Sequence, residues 1–329
     1  MNIVNVEKDR IFISIANYRD PEIFPTVRDL FEKARFPERL KVGIFTQIDF
    51  SVDDPRTMVH GSDTNVREVV IDSRESKGCC WARSHILTNI RKDEEFVLQI
   101  DAHTRFAKDW DIEILNQFRM LPHYDCVLTS YPLAYHLDRP IDYSPKHVLV
   151  KFRDWHSTGL PVFMADMNLP AKAFPLPSPG IGLSAGCLFG PSSIFDRIPY
   201  DPHIYFFGEE QDLAIRMYTH GIDLYAPSKM CFYHLYANDV KDKKVHWEDH
   251  RHSAEIRRKV TVGGTDRVMY KLGLNHNVDD VALMDIGKYS LGRVRSIEKW
   301  QAVAGVNLAE KRLTDTALTG SYWQPNIYE

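Results

Sequence analysis

Four short apolar runs, residues 11–16, 41–47, 66–71 and 96–100, occupy the first hundred positions, each of strand length and each bounded by charged or turn residues. The stretches between them keep a different period. Ile23, Phe24, Val27, Leu30, Phe31 and Ala34 recur at helical spacing after Asp20-Pro21, and Gly78 opens a second helical stretch at residues 79–87. Strands alternating with helices predict an α/β fold with a mainly parallel central sheet and helices on both faces. In such sheets ligands sit beyond the carboxyl ends of the strands.

Residues 17–20, Thr46-Gln47 and residues 101–103 all lie at such ends, so one nucleotide-sized cleft can collect them. Asn17, Tyr18, Arg19 and Thr46 are the candidate contacts from the first two strands. Arg19 and Arg83 are the bases best placed to meet a diphosphate or a nucleobase, and Gly78 supplies the turn before the helix of Arg83. His85, further along that helix, reads as a packed or solvated side chain.

The fourth run ends in Asp101-Ala102-His103. In extended backbone residues i and i+2 share a face, so a carboxylate and an imidazole spaced this way can reach one metal ion while Ala102 turns away. A solvated strand end has the same pattern, so context has to decide.

Later segments add that context. Residues 125–131 form another strand. Residues 132–179, rich in proline and aromatics and without a sustained period, read as a lid or binding loop facing the acceptor, with Trp155 and His156 as candidates. In residues 178–190 a crowd of small side chains, including Ala185 and Gly186, implies backbone lying against a ligand or bending sharply. The missing Lys-Ser/Thr ending excludes a P-loop.

The stretch of residues 205–221 then reads as a helix, with Glu209, Glu210 and Asp212 in its first turn and Gly221 as its stop. The acids complement the helix dipole, and three acids at a helix mouth can also grip sugar hydroxyls. Two extended segments carry the chain to His234. His246, His250 and His252 follow, but their spacing matches no closed zinc site and they read as solvated or supporting groups.

Composition narrows the class. With 329 residues, 44% of them hydrophobic, the chain can bury one large α/β domain with an extension, or two small domains, and a formal charge of −4 without a dense Lys/Arg block argues against nucleic acid as its main partner. No stretch approaches the length of a membrane span, and the first ten residues carry no targeting pattern. Five cysteines, with Cys79 and Cys80 adjacent, do not form a disulfide framework, and Cys126, Cys187 and Cys231 sit in apolar runs as buried thiols. A cytoplasmic location is the expectation.

Four blocks, residues 13–20, 100–103, 208–214 and 246–250, together with a closing segment at residues 289–300 and 304–307, resemble glycosyltransferase family 60, whose members attach GlcNAc to hydroxyproline in a target protein. More distantly, the order of a D-x-H pair, a small-residue segment, a Gly-Glu helix start and a later histidine is similar to the catalytic domain of the polypeptide GalNAc-transferases. The resemblance implies a GT-A fold over residues 1–245, with a C-terminal helical extension over residues 246–329 that supports the acceptor side or a homo-oligomer contact. It implies that Asp101, His103 and His234 hold a divalent cation, and that Glu209, Glu210 and Asp212 line the sugar site. Glu210 stands where the GalNAc-transferases have Asn, so their donor preference is not carried over.

The expected activity is metal-dependent, retaining transfer of a hexose-type sugar, GlcNAc from UDP-GlcNAc first, to an acceptor hydroxyl on a polypeptide. Glycan and small-molecule acceptors stay open. Mixed carboxylate, imidazole and phosphate ligation suits manganese, with magnesium less comfortable beside nitrogen ligands. A metal-dependent nucleotidyltransferase is the rival enzyme, but it should carry a Gly-rich, basic loop after its first strand, where this chain has residues 17–20. A sugar-binding module without catalysis would not need Asp101, His103 and His234 together.

Overall fold

The computed structural model describes residues 9–61, 63–236, 244–246 and 263–322. Its frame is an eight-stranded mixed sheet. β1 (Ile11–Tyr18), β2 (Leu40–Ile48), β3 (Val66–Asp72) and β4 (Phe96–Asp101) form its parallel half, in the spatial order β3-β2-β1-β4. Three helices make the crossovers: α1 (Ile23–Lys33), the short α2 (Pro55–Met58), and α3 (Cys79–His85), which continues through a wider π turn over Ile86–Ile90.

After β4 the short β5 (Thr104–Phe106) leads to α4 (Trp110–Arg119), β6 (Cys126–Thr129) and β7 (Leu133–Tyr135). The sheet is completed beyond β4 by an antiparallel β11 (Cys187–Pro191), then β6, then β12 (Asp223–Ala226), with β10 (Ser178–Gly180) at the edge. β13 (Phe232–Leu235) lies between β5 and β7 in a separate three-stranded sheet. α5 (Ser192–Arg197) and α6 (Glu209–Thr219) follow β11.

Residues 132–179 are ordered differently from the expected lid. They hold β7 and a long hairpin of β8 (Lys146–Trp155) on β9 (Pro161–Pro170), whose register slips between His147 and Leu149 and again between Phe152 and Asp154. In β8 Val148, Val150 and Phe152 alternate inward, and the slips on either side keep that period-two run to three residues.

Strand parity divides the core in two. Ile11, Ile13 and Ile15 of β1 and Phe96, Leu98 and Ile100 of β4 face one side, where α1 and α4 cover them with Val27, Leu30, Trp110 and Ile114. Phe12 and Val97 face the other side, where α3, α5 and α6 bring Ala82, Ile194 and Leu213. Each fully buried aliphatic side chain contributes roughly 1.5–3 kcal/mol relative to exposure. C-terminal residues join this second core: Val268 on the helix Gly264–Lys271 and Trp300 on the helix Ile297–Ala304 are fully buried in it.

The same parity continues past the core. Asp101 follows Val97 and Gln99 on the α3/α6 side, while Ala102 is buried on the α1/α4 side. Tyr18 shares the face of Phe12. These are the residues that reach the cleft beyond the sheet.

Candidate active site

A cleft of about 450 Å³ opens beyond the carboxyl ends of β1 and β4, bounded on its far side by the start of α6. Tyr18, Asp101, His103, Gly186, Glu209 and His234 all face into it.

At its floor three side chains from two strands and a connecting loop converge. The Nε2 atoms of His103 and His234 lie 2.9 Å apart, and His234 Nε2 lies 3.1 Å from Asp101 Oδ2. Cis ligands of a six-coordinate ion bound at about 2.1–2.3 Å stand about 3.0–3.2 Å apart, so the spacing fits a single divalent cation. The second oxygen and nitrogen are already committed elsewhere. Asp101 Oδ1 accepts from Arg83 at 2.7 Å, and His103 Nδ1 donates to Asp20 Oδ2 at 2.7 Å, which turns the lone pair of Nε2 toward the cleft.

Burial opposes ionisation of Asp101, but its hydrogen bond to His234 and then the charges of Arg83 and the imidazoles outweigh it and hold the carboxyl far below the usual carboxylate range. Gly186 makes the approach possible: a Cβ there would stand 2.9 Å from Asp101 Oδ2.

Arg83 organises the carboxylates. It is 3% exposed, so its charge has to be met inside the protein. Besides Asp101 it pairs with Glu209, the first residue of α6. Gly78 sets the angle at which α3 delivers Arg83: its φ of +101° is left-handed, and a Cβ there would collide with the Tyr205 carbonyl at 2.4 Å.

Glu210 accepts from Tyr131 Oη at 2.6 Å and from the Ala185 amide at 2.9 Å. Burial, helped by the neighbouring charge of Glu209, pushes its carboxyl up to about 7 against those two hydrogen bonds.

The structure brings Tyr18, Gly78, Arg83, Ala185, Gly186, Asp101, His103, His234, Glu209 and Glu210 to the cleft wall, and leaves Asn17, Arg19, Thr46 and Asp212 outside it. Each exclusion has a physical cause. Asn17 and Thr46 are register partners on the α1/α4 face; Asn17 donates to the Met58 carbonyl at 3.0 Å, and the Thr46 hydroxyl donates to Glu68. Arg19 is pinned to Asp53 by bonds of 2.7 and 3.0 Å. Asp212 turns to the rear of α6, where Arg216 and Lys271 neutralise it.

Other residues enter instead. Gln47, the register partner of Tyr18, lines the cleft, as do Asp20, Tyr131 and Tyr236. Parity one residue beyond Thr46 is the signal that finds Gln47; nothing local marks Tyr236. His246 is buried rather than solvated, edge-on to Tyr18 with centroids 5.6 Å apart, whereas His250 and His252 lie outside the described residues. His156 packs against Phe207 at the cleft rim, centroids 4.0 Å apart, and His85 packs between Trp81 and Phe45. Cys126, Cys187 and Cys231 are buried thiols, as their apolar runs imply.

Comparison with known proteins bears on this arrangement. A family model described as Glycosyltransferase (GlcNAc) matches residues 10–61 and 49–310. Among solved structures, GalNAc-T7 with UDP, GalNAc and Mn2+ superposes with a TM-score of 0.54 at 12% identity, over 89% of this chain. This chain spans 56% of that one, and the likeness is one of fold, the GT-A architecture. S. aureus TarS 1-349 in complex with UDP-GlcNAc gives a TM-score of 0.43 at 15% identity, over 85% of this chain and 81% of that one. No curated protein sequence matches significantly. Among the described residues no helix is long and apolar enough to cross a membrane.

Proposed function

Because the chain belongs to the GlcNAc glycosyltransferase family, we propose that it transfers GlcNAc from UDP-GlcNAc to a hydroxyl group on a polypeptide, with a divalent cation, manganese first, and with retention of configuration. The observation that carries this reading is the convergence of Asp101, His103 and His234 at the floor of a cleft whose opposite wall is the carboxylate pair Glu209 and Glu210. When bound there, the cation would neutralise the charge that develops on the departing diphosphate.

The chain's own residues have separable tasks in this account. Arg83 binds Asp101 Oδ1 and Glu209 together, so the strand tip and the acidic helix hold a fixed separation. Asp20 sets the tautomer and orientation of His103. Glu209, held by Arg83, orients the sugar as an acceptor of hydroxyl hydrogen bonds. Glu210 sits near half-protonation at neutral pH and can accept from one sugar hydroxyl or donate to another oxygen. Neither carboxylate needs to attack the anomeric carbon: in front-face transfer the acceptor hydroxyl passes its proton to the leaving phosphate oxygen, and retention follows without a covalent intermediate. The aromatic rim, where Phe206 is 42% exposed and Phe207 stands beside His156, supports an acceptor with apolar bulk, as a peptide has.

Donor hydrolysis tests the reading without knowledge of the acceptor. With manganese, the protein should hydrolyse UDP-GlcNAc slowly and faster than UDP-GalNAc or UDP-glucose. Hydrolysis that prefers another donor sugar overturns the assignment of GlcNAc, and hydrolysis unaffected by chelation overturns the assignment of the cation.

A further inference from the structure

A second group of ligating side chains lies at the opposite end of the strands. Cys126 opens β6 and Asp223 opens β12, and the two are register partners in the parallel pairing of those strands. β6 leads at its other end to Ser130 and to Tyr131 in the cleft wall, so this group sits at the amino ends of the strands, a sheet's length from the cleft. His123, in the loop between α4 and β6, closes over both: its Nε2 lies 2.9 Å from Asp223 Oδ2 and 3.8 Å from Cys126 Sγ, and its Nδ1 lies 3.3 Å from Cys126 Sγ.

These distances carry a specific geometry. In a tetrahedral zinc site with ordinary bond lengths, nitrogen and oxygen ligands stand about 3.3 Å apart and nitrogen and sulfur ligands about 3.6 Å. The observed 2.9 and 3.8 Å bracket those values within about half an ångström, a shift the loop-borne ring of His123 can make.

The rest of the surroundings fit too. Arg295 donates to Asp223 Oδ1 at 2.6 Å and is itself seated over the ring of Tyr218, which leaves Oδ2 as the inward-facing oxygen. Cys126 and Asp223 are buried and fixed on neighbouring strands, while the His123 side chain is 45% exposed, so an ion would have an entry path and room for a water as fourth ligand. The donor set of one thiolate, one imidazole and one carboxylate is borderline-soft, unlike the carboxylate–imidazole set of the cleft.

We propose that Cys126, His123 and Asp223 bind one zinc-class ion, separate from the cleft cation, that ties the loop before β6 to the strand ends and, through Arg295, to the C-terminal segment. Binding exchanges the thiol proton of Cys126, released to solvent, for the metal–sulfur bond. The ring proton of His123 moves from Nε2 to Nδ1 as Nε2 becomes the ligand, so one proton leaves per ion bound.

Cobalt(II) added to the full-length protein is the test, because a cobalt–thiolate bond gives a near-ultraviolet charge-transfer band and tetrahedral cobalt gives visible bands. The bands should appear in the wild type, persist when Asp101→Ala and His103→Ala remove the cleft ligands, and vanish in Cys126→Ser. One equivalent of zinc should bleach them and raise the melting temperature. His123→Gln, at a half-exposed position that folding tolerates, should weaken zinc binding at least tenfold. The absence of a thiolate band in the wild type, a band that survives Cys126→Ser, or an unchanged zinc affinity in His123→Gln overturns the proposal and leaves the three side chains as a hydrogen-bonded chain.

Discussion

The carboxyl ends of β1 and β4, each taken with the loop that follows, carry the same kinds of residue and use them in opposite ways. At the end of β1, Asn17 and Arg19 are spent on neighbouring chain: the amide on the Met58 carbonyl, the guanidinium on Asp53. At the end of β4, Asp101 and His103 point their inner atoms at one another and at His234 across the cleft. Both loops sit at carboxyl ends of parallel strands. What separates them is the supply of partners. The loop at residues 49–54 places Asp53 beside Arg19, whereas Arg83 and Asp20 hold the outer atoms of Asp101 and His103, so their inner atoms meet His234 at the cavity. A polar residue at a sheet edge serves the ligand when its neighbours satisfy its outer half and leave the inner half directed.

This contrast can be broken by experiment. The largest effect is expected for Asp101→Ala, which should lower sugar transfer on the order of 100-fold or more while the protein stays folded; steady-state rates beside a thermal melt decide it, and a variant that transfers normally contradicts the role of the β4 tip. Arg19→Met should do the reverse. It strands Asp53 with little solvent, so a loss of about 3 kcal/mol in denaturant unfolding is expected, with transfer per folded molecule within twofold of the wild type. A large rate loss without destabilisation would return the β1 loop to the donor site.

Glu210→Gln tests the carboxyl that burial has raised. A raised carboxyl binds its proton in the folded state at a pH where the unfolded chain has lost it, so the wild type loses stability as pH climbs from the ordinary glutamate range to about 7 and is level above that. Gln keeps the acceptor for Ala185 and cannot ionise. The variant should therefore gain on the wild type across that window, by about 2–3 kcal/mol at its upper end, and melts at several pH values read the difference. A constant difference would mean that Glu210 titrates normally. The smallest effect is expected for Asp20→Asn, where His103 keeps an acceptor but loses its charged one: manganese affinity should fall about tenfold, with donor affinity at saturating metal unchanged. Unaltered manganese affinity would remove Asp20 from the site.

Much of the fold was legible because the first four strands carry their own boundaries. Asp20-Pro21 and Gly78 mark helix starts, and the run of residues 96–100 is too short and too apolar for anything but a buried strand. The hairpin β8–β9 was missed, since its two register slips limit the alternation in β8 to Val148, Val150 and Phe152. Within the candidate site, Tyr18, Asp101, Arg83 and Glu209 line the cleft, whereas Asn17 and Thr46, equally on regular strands, face the other side of the sheet by parity, which the sequence reading did not apply. Asp212 was misjudged because helical spacing tells which way a residue turns but not what lies there: the cations that claim it are Arg216 one turn on and Lys271, some sixty positions later. Tyr131 and Tyr236 reach the cleft from just beyond the ends of β6 and β13, where only the tertiary arrangement sets the direction.

The central claim is that Asp101, His103 and His234 hold a cation that receives the diphosphate of the donor. Calorimetric titration of UDP into the protein with and without manganese tests it most directly. At least tenfold tighter UDP binding with manganese, abolished in Asp101→Ala, is the predicted result; equal affinity with and without the ion would contradict the account.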